Sequence, residues 1–460
     1  MLPFWNWISP TCRDSNKIGN RKKRRLTDQG TLWGLRGSAI LPRNPVCMPN
    51  VSKRSYDVPL SPFRKLVPFA DAAKERGTHV YHLNIGQPDI HSPEPAWKAL
   101  RENQMKVLAY SPAIGNRSYR EKLSAYYDRF QMGVTHDHIV ITTGASEAIQ
   151  MLLFACLDPG DAVIMPEPFY ANYNGFCRIA DLEIQPIPSY IEDGFPLPGI
   201  DAFRQKITDR TRAIFITNPS NPTGSLYTRK DLDALANLVR EYDLYLIVDE
   251  VYREFCYDGQ SFYSALRLEG LDDHVIVVDS VSKRYSACGA RVGALVTRNE
   301  KVLEAITRYA KLRLSPPGLG QVFAEAMLDM DDQYLEEVKE EYDRRRLVVY
   351  ERLKAMPGVV NYKPGGAFYC FAKFPVADAE HFCRWLLESF THEGATVMLS
   401  PGTGFYATPG RGADEVRIAY ILNTQDLHKA MDCLEIALKE YPGEESRDGH
   451  RKAHGKIINV

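Results

Sequence analysis

The sequence predicts an α/β fold: a mainly parallel sheet covered by helices on both faces, followed by a smaller α+β domain. Two observations lead to this prediction. Short runs of apolar residues alternate with amphipathic segments through the middle of the chain, and strands that are apolar throughout are typical of parallel sheets. From about Asp329 the pattern changes to a long charged helix and then short strands, which indicates a second domain.

The alternation of strands and helices is clearest in the middle of the chain. Strands are predicted at 138–142, 161–165, 213–217, 245–248 and 275–278, and helices at 146–157, after Tyr170 and at 229–242. The second domain is predicted to contain a helix at 333–356, strands around 368–371 and a helix near 380–389. Strands separated by helices of this length are typical of β-α-β units.

The composition bounds the class of protein. The chain has 460 residues, of which 44% are hydrophobic, and its 57 basic residues nearly balance its 58 acidic ones. Charge therefore points to neither nucleic acid nor a membrane surface as a partner. No apolar run approaches the roughly 20 residues that a bilayer requires. The nine cysteines are scattered, without a CxxC pair, which favours free thiols and a cytoplasmic location.

The two ends differ from the rest of the chain. Residues 1–47 carry nine basic residues against two acidic ones and are predicted to be a disordered basic extension, although a basic run is also typical of a targeting signal. Residues 442–460 are predicted to be a flexible tail. Between them we predict an N-terminal arm (48–95) that joins the small domain, a large domain (96–328) and a small C-terminal domain (329–441).

Two of the predicted strand ends carry residues suited to an anion or to a fixed amide. The helix that follows the first strand begins with small residues at Gly144, Ala145 and Ser146, whose backbone N–H groups could hold an anion. An ordinary turn with Ser146 as the cap is the simpler interpretation. Residues 218–224 contain two Asn-Pro pairs and a Thr-Gly, a rigid turn that would fix the amide of Asn221.

Two further strand ends carry a carboxylate and a lysine. Asp249 follows a buried strand and precedes Tyr252, and a buried carboxylate is costly unless it meets a cation or hydrogen-bond donors. Lys283 follows another buried strand, where loss of water would make its amine nucleophilic toward carbonyls. Nearby hydroxyl and guanidinium groups suited to phosphate come from Ser280, Ser282 and Arg291. In open α/β sheets these strand ends meet at the ligand-binding edge.

These segments together resemble the class I and II aminotransferases of pyridoxal phosphate (PLP) fold type I, of the aspartate aminotransferase kind, over roughly residues 52–440. The resemblance is carried by Ser280-x-Ser282-Lys283 followed by Gly289-x-Arg291-x-Gly293, with Asn221, Asp249, Tyr252 and Arg417 in the expected order. It implies a large domain with a mainly parallel seven-stranded sheet between helices, and a smaller α+β domain.

The resemblance also implies roles for the strand-end residues. Lys283 should form a Schiff base with PLP and then serve as the base that moves the Cα proton. Asp249 should pair with the pyridine nitrogen, and Asn221 and Tyr252 should hydrogen-bond the ring hydroxyl oxygen. The phosphate should be held by Ala145, Ser146, Ser280, Ser282 and Arg291.

Four more residues gain a role only from the resemblance. Tyr170 should stack on the cofactor ring, and Gly86 should lie near the substrate carboxylate. Arg417 should bind that carboxylate through its two parallel N–H groups, a geometry that lysine lacks. Tyr110 matches a tyrosine that reaches the phosphate of the neighbouring subunit, which implies a homodimer with shared active sites.

The resulting prediction is a PLP-dependent aminotransferase that transfers the amino group of an L-amino acid to a 2-oxo acid such as 2-oxoglutarate. Aspartate is the first choice of donor, and an aspartate-type enzyme needs a second cation, for which Arg117 and Arg313 are candidates. An aromatic or other neutral donor, and a β-lyase on the same fold, stay open as alternatives. So does a PLP-binding regulatory module that is not an enzyme.

Overall fold

The structure is a computed structural model that describes residues 50–62 and 64–443. The basic extension predicted at 1–47 and most of the tail predicted at 442–460 lie outside the described residues. No helix of the described part combines the length and apolarity that crossing a bilayer requires.

The described residues form thirteen strands and fourteen α-helices, numbered in chain order. The strands are β1 (His79–His82), β2 (Ile139–Thr142), β3 (Ala162–Glu167), β4 (Glu183–Pro188), β5 (Thr211–Thr217), β6 (Tyr245–Asp249), β7 (Val275–Ser280), β8 (Gly293–Val296), β9 (Val360–Asn361), β10 (Tyr369–Lys373), β11 (Ala395–Met398), β12 (Ser400–Pro401) and β13 (Glu415–Ala419). The helices are α1 (Lys53–Asp57), α2 (Val67–Glu75), α3 (Glu94–Arg101), α4 (Arg117–Asp128), α5 (Gly144–Cys156), α6 (Asn172–Ile179), α7 (Ile200–Lys206), α8 (Arg229–Tyr242), α9 (Val281–Arg284), α10 (Glu300–Arg313), α11 (Gly318–Met327), α12 (Gln333–Ala355), α13 (Ala379–Glu388) and α14 (Thr424–Glu440).

The large sheet has seven strands in the order β2-β8-β7-β6-β5-β3-β4. Every neighbouring pair from β7 to β4 is parallel, whereas β8 is antiparallel to both β2 and β7. The predicted mainly parallel, seven-stranded sheet is therefore confirmed, with one reversed strand that the sequence did not reveal. The five strands predicted from apolar runs correspond to β2, β3, β5, β6 and β7.

Both faces of this sheet are covered. Along β7, Val275 and Val277 pack into one apolar core while Ile276 and Val278 pack into another. Alternate residues of a strand point to opposite faces, so one core lies on each side, as the uninterrupted apolar runs predict. The order of the strands brings the carboxyl ends of β5, β6 and β7 together at one edge.

Helix α8 shows how local sequence sets an element. Its predicted and observed limits are the same, Arg229–Tyr242. At its start the Thr228 side chain accepts from the Asp231 backbone N–H, and the Asp231 carboxylate accepts from the Thr228 N–H, a capping box. At its end Asp243 takes a left-handed conformation that stops the helix.

A second group of strands lies toward the C-terminus, where the order β12-β13-β10-β9 forms an antiparallel sheet. Strand β1 pairs in parallel with β11, with His79 opposite Ala395, so a segment near the start of the described chain packs with segments near its end. Helices α12, α13 and α14 contribute to the same apolar core. The domain boundaries given above stay a prediction.

Candidate active site

A cavity of about 420 Å³ opens where the carboxyl ends of β5, β6 and β7 meet the start of α5 and the C-terminal strands. Twelve residues predicted from the sequence line it: Gly86, Ala145, Ser146, Tyr170, Asn221, Asp249, Tyr252, Ser280, Ser282, Lys283, Arg291 and Arg417. The roles assigned to them from the resemblance stay predictions, but the structure brings the twelve together from segments more than 300 residues apart in sequence.

Lys283 lies at the edge of the cavity on the short helix α9, directly after β7. The Ser280 hydroxyl caps α9 by accepting from the Ser282 backbone N–H at 3.1 Å, and it lies 2.9 Å from the Val292 carbonyl oxygen. This cap fixes the turn that carries the lysine. The Lys283 Nζ donates to the carbonyl oxygen of Gly86 at 2.8 Å, so the amine is held inside the cavity wall rather than in open solvent.

Asp249 ends β6 and is 5% exposed. Its carboxylate accepts from the Tyr173 hydroxyl at 2.8 Å and from the Val251 backbone N–H at 3.2 Å. Burial raises the pKa of Asp249 to about 6, although these two hydrogen bonds act in the opposite direction. A carboxyl group in this state would be stabilised as an anion by any cation brought beside it.

A second buried aspartate, Asp279, lies in β7 directly after Val278, the residue that pairs with Asp249. Asp279 is 2% exposed and forms ion pairs with Arg253, at 3.0 Å, and with Arg284. The Tyr127 hydroxyl donates to it at 2.7 Å, and Arg284 also bonds Glu254 at 3.0 Å. Burial would raise the pKa of Asp279, but the charges of Arg253 and Arg284 outweigh it and hold this pKa well below its usual range. This buried ion-pair cluster does not line the cavity.

The first turn of α5 forms one wall of the cavity with Arg291. The Arg291 Nη2 donates to the Thr143 carbonyl oxygen at 3.4 Å, and Ala145 and Ser146 lie in the same first turn. A Cβ at Gly144 would lie 2.5 Å from Arg291 Nη2, and Gly144 has a φ of +71°, so a side chain there would be strained and would displace the guanidinium. A helix N-terminus beside a guanidinium and two hydroxyls is a favourable site for a phosphate.

Arg417 projects from β13 into the cavity and is 2% exposed. Its Nη1 donates to Asn221 Oδ1 at 3.0 Å, and its Nη2 donates to the Asn84 carbonyl oxygen at 2.6 Å. The guanidinium also lies 4.6 Å from the Tyr369 ring centroid and 4.9 Å from that of Phe405. It is therefore a buried cation whose plane is held by these neighbours, which suits recognition of a carboxylate.

Tyrosines close the remaining sides of the cavity. The hydroxyls of Tyr252 and Tyr369 are 2.9 Å apart. A Cβ at Gly86 would lie 1.8 Å from the Tyr369 hydroxyl oxygen, so the absence of a side chain at Gly86 makes room for that ring. The Tyr170 hydroxyl accepts from Asn172 Nδ2 at 2.8 Å.

Three residues named from the sequence do not line the cavity. Tyr110 is 79% exposed, and its predicted contact with a neighbouring subunit stays a prediction. Neither candidate for the second cation lines the cavity: Arg117 forms an ion pair with Glu121 at 2.7 Å, and Arg313 forms one with Glu147. Neither arginine is therefore placed to serve as the second cation that an acidic donor would need.

The sequence reasoning missed several residues of the cavity wall, and the polar ones among them with the largest side chains are Arg64, Tyr173 and Tyr369. Tyr173 follows Tyr170 at helical spacing, which could have placed the two on one face. Tyr369 lies in a predicted strand but in no motif. For Arg64, in the irregular segment before α2, the sequence offered no signal.

Residues 78–434 match the family described as aminotransferase class I and II. The chain is 33% identical over 397 residues to aromatic-amino-acid aminotransferase 2 of Thermococcus litoralis. The aligned region covers 85% of this chain and 98% of that protein. It is 32% identical to an aspartate aminotransferase of Pyrococcus abyssi, over 83% and 96% of the two chains.

Solved structures agree with the sequence matches. An alanine aminotransferase from Pyrococcus furiosus superposes with a TM-score of 0.78 at 32% identity, over 85% of this chain and all of the other. A single mutant of the Thermus thermophilus aspartate aminotransferase superposes with a TM-score of 0.77 at 29% identity and the same coverage. The fold expected from the resemblance is confirmed.

Proposed function

Because this chain belongs to the aminotransferase class I and II family and is a PLP-dependent transaminase, we propose that its preferred amino donor is an acidic L-amino acid, with aspartate first. The acceptor is a 2-oxo acid such as 2-oxoglutarate. The observation that carries this choice is the charge of the cavity wall. Four cations (Arg64, Lys283, Arg291 and Arg417) and one carboxylate (Asp249) line the cavity in the described residues. With Lys283 and Arg291 serving the cofactor, two guanidinium groups are left for the substrate, which favours substrates with two negative groups.

The side chains of the cavity fit PLP group by group. Arg291 and the first turn of α5 would hold the phosphate. The Lys283 amine is positioned for the aldehyde, and Asp249 is the partner for a protonated ring nitrogen because a cation beside it would offset the burial that raises its pKa. When bound there, PLP supplies an electron sink for the carbanion that forms when an amino acid loses its Cα proton.

The protein's own groups then divide the work. The Lys283 Nζ takes up the Cα proton of the substrate, a role in which a positioned base contributes about 10²- to 10⁴-fold. Arg417 binds the α-carboxylate and so fixes the direction of the Cα–H bond relative to Lys283. Asn221 bonds Arg417 through its Oδ1, which leaves its amide N–H₂ to donate to the cofactor beside the hydroxyl of Tyr252.

A homodimer with shared active sites is part of the proposal. Tyr110 is exposed within a stretch that also exposes Val107 and Leu108, and the 312–319 segment exposes further leucines. A Cβ at Gly318 would lie 3.3 Å from Leu108 Cδ1, so the two stretches adjoin and form one apolar surface. Such a surface is typical of subunit interfaces, and a second copy seated on it would bring Tyr110 toward its cavity. Analytical ultracentrifugation of the wild type and of Leu108→Glu tests this; a monomeric wild type would contradict it.

We also propose that the enzyme acts in the cytoplasm. The sequence supports this because its nine cysteines are odd in number and scattered along the chain, which is typical of proteins from reducing compartments. Fractionation of cells that express the full chain tests the location.

A panel of amino donors and 2-oxo acids tests the reaction itself. Wild-type protein loaded with PLP is mixed with aspartate, phenylalanine, alanine or S-methylcysteine, whose thiolate can leave from Cβ, with and without 2-oxoglutarate, and the products are quantified. We expect the highest kcat/KM for aspartate and a strict need for the acceptor. Release of ammonia and pyruvate without an acceptor would indicate a β-lyase, a preference for phenylalanine would indicate an aromatic donor, and no turnover would indicate a binding module.

A further inference from the structure

Among the described residues that line the cavity, Arg64 is the one cation to which the cofactor and the α-carboxylate give no role. Lys283 serves the aldehyde, Arg291 the phosphate and Arg417 the α-carboxylate. Arg64 lies between α1 and α2, on a segment whose Ser61 also lines the cavity. A neutral amino acid would present no group that could use its charge.

Arg64 and the neighbouring Lys65 are both cations, but they differ in whether a carboxylate pairs with them. Lys65 forms an ion pair with Glu380 at 2.5 Å. Within 50–62 and 64–443, no carboxylate lies within ion-pair distance of the Arg64 guanidinium. An arginine that only makes the protein soluble can lie anywhere on the surface. Arg64 instead lines the same cavity as the buried Arg417.

Arg64, Tyr170 and Arg417 line the same cavity. Burial raises the pKa of Tyr170 to about 12, and the charges of Arg417 and of Arg64 both lower it. Both guanidinium groups therefore act on the same hydroxyl, from different chain segments. A molecule whose α-carboxylate binds Arg417 therefore lies in the cavity that Arg64 also lines, where a second carboxylate would meet a second guanidinium.

We propose, building on the acidic-donor function above, that Arg64 binds the side-chain carboxylate of the amino donor and the distal carboxylate of the 2-oxo acid. A guanidinium binds a carboxylate through two parallel hydrogen bonds. Because Arg64 is exposed, it stays hydrated when a neutral amino acid binds, so it selects acidic substrates without excluding neutral ones. Arg64 is thus a specificity-determining residue in the N-terminal segment rather than in a motif.

The test uses full-length, PLP-loaded enzyme and three variants. Arg64→Met removes the charge, Arg64→Lys keeps the charge without the two-pronged geometry, and Lys65→Met removes the same charge from the neighbouring residue that does not line the cavity. The first half-reaction is followed by absorbance with aspartate alone and with phenylalanine alone. We expect Arg64→Met to lower kcat/KM for aspartate by about 10- to 100-fold and for phenylalanine by less than about 3-fold. Arg64→Lys should recover part of the loss, and Lys65→Met should match the wild type.

A binding measurement separates recognition from catalysis. Calorimetric titration with succinate and with butyrate, neither of which can react, compares a dicarboxylate with a monocarboxylate. We expect Arg64→Met to weaken succinate binding by a similar factor and to leave butyrate unchanged. Equal losses for both ligands, for both amino acids or in Lys65→Met would overturn the assignment.

The two proposals fail in different ways. If the wild type prefers aspartate and Arg64→Met prefers it to the same degree, the donor proposal stands and the assignment of Arg64 is wrong. If the wild type shows no preference for dicarboxylates, the donor proposal is wrong and the assignment fails with it.

Discussion

Strands β6 and β7 lie side by side, and each carries a buried aspartate near its carboxyl end, Asp249 and Asp279. Their surroundings differ. Asp279 lies between the guanidinium groups of Arg253 and Arg284, and its pKa is held well below the usual range although burial acts to raise it. Asp249 accepts hydrogen bonds from a hydroxyl and a backbone N–H, and burial raises its pKa to about 6.

The difference between the two aspartates separates structure from function. The buried ion-pair cluster around Asp279 is balanced by the protein itself, so its charges serve the fold. The cavity around Asp249 has an excess of positive charge and a carboxylate that is costly to ionise. Bound ligands would therefore supply the charges that neutralise these groups. Variants of the cluster should therefore change stability, and variants of the cavity should change binding and turnover.

The cavity side of this difference predicts the largest effect. Lys283→Ala should lower transaminase activity by at least about 10⁴-fold, because it removes both the amine that binds PLP and the base that takes the Cα proton. Its free energy of unfolding without PLP should stay within about 1 kcal/mol of the wild type, since the side chain is only partly buried. Mass spectrometry after borohydride reduction should find PLP attached to the wild type and not to the variant. Full activity in Lys283→Ala would rule out the proposed chemistry.

The cluster side predicts the largest loss of stability. Asp279→Ala leaves two buried guanidinium groups with fewer anionic partners, so its free energy of unfolding should fall by about 3–5 kcal/mol. Asp272, which pairs with Arg298 at 2.5 Å and is 61% exposed, is the matched control. Asp272→Ala should cost about 0–1 kcal/mol. Urea titration measures both, and equal losses would remove the distinction between buried and exposed pairs.

Arg417→Lys sharpens the cavity side. Lysine keeps the charge but loses the planar pair of donors, so the α-carboxylate should bind less well. We expect kcat/KM to fall by about 10- to 100-fold for every amino donor. Loss for all donors distinguishes Arg417 from Arg64, whose removal should affect acidic donors alone. The kinetics of aspartate and phenylalanine measured in parallel check this. A loss confined to aspartate would reverse the two assignments.

The smallest effect concerns pH. Asp249 has a pKa of about 6 in the folded, PLP-free protein against 3.8 as its ordinary value. Between these values the folded state binds the proton more strongly than the unfolded state, so stability falls as pH rises from about 4 to about 6. Asp249→Asn lacks this loss, and its stability relative to the wild type should therefore increase from pH 4.5 to pH 7. Urea titrations across that range measure the difference. A constant difference would show that Asp249 does not titrate there.

Local patterns predicted much of this fold. Helix α8 was predicted with its observed ends from its amphipathic pattern, and the structure adds the capping box of Thr228 and Asp231 at its start. The buried strands were predicted because apolar runs in a parallel sheet carry no polar face. The pairing of β1 with β11 and the reversed direction of β8 were not, because they depend on contacts between distant segments that leave no local pattern.

The site divides in the same way. The strand-end residues were found because their motifs combine a strand, a turn and a chemical group. Arg64 was missed because an arginine in an irregular segment looks like any exposed arginine until the chain brings it to the cavity. Arg313 was considered as the second cation although it lies in no motif. Its ion pair with Glu147 joins segments far apart in the chain, so sequence spacing could not reveal it.

The close approaches at Gly86 and Gly144 have a practical consequence for enzyme engineering. A Cβ at Gly86 would overlap the Tyr369 ring, and one at Gly144 would overlap the Arg291 guanidinium. A library designed to change the substrate range should hold both positions constant, since any side chain there would shift Tyr369 or Arg291. Randomising positions 64, 85 and 172 instead would vary the cavity wall while leaving the phosphate and lysine contacts intact.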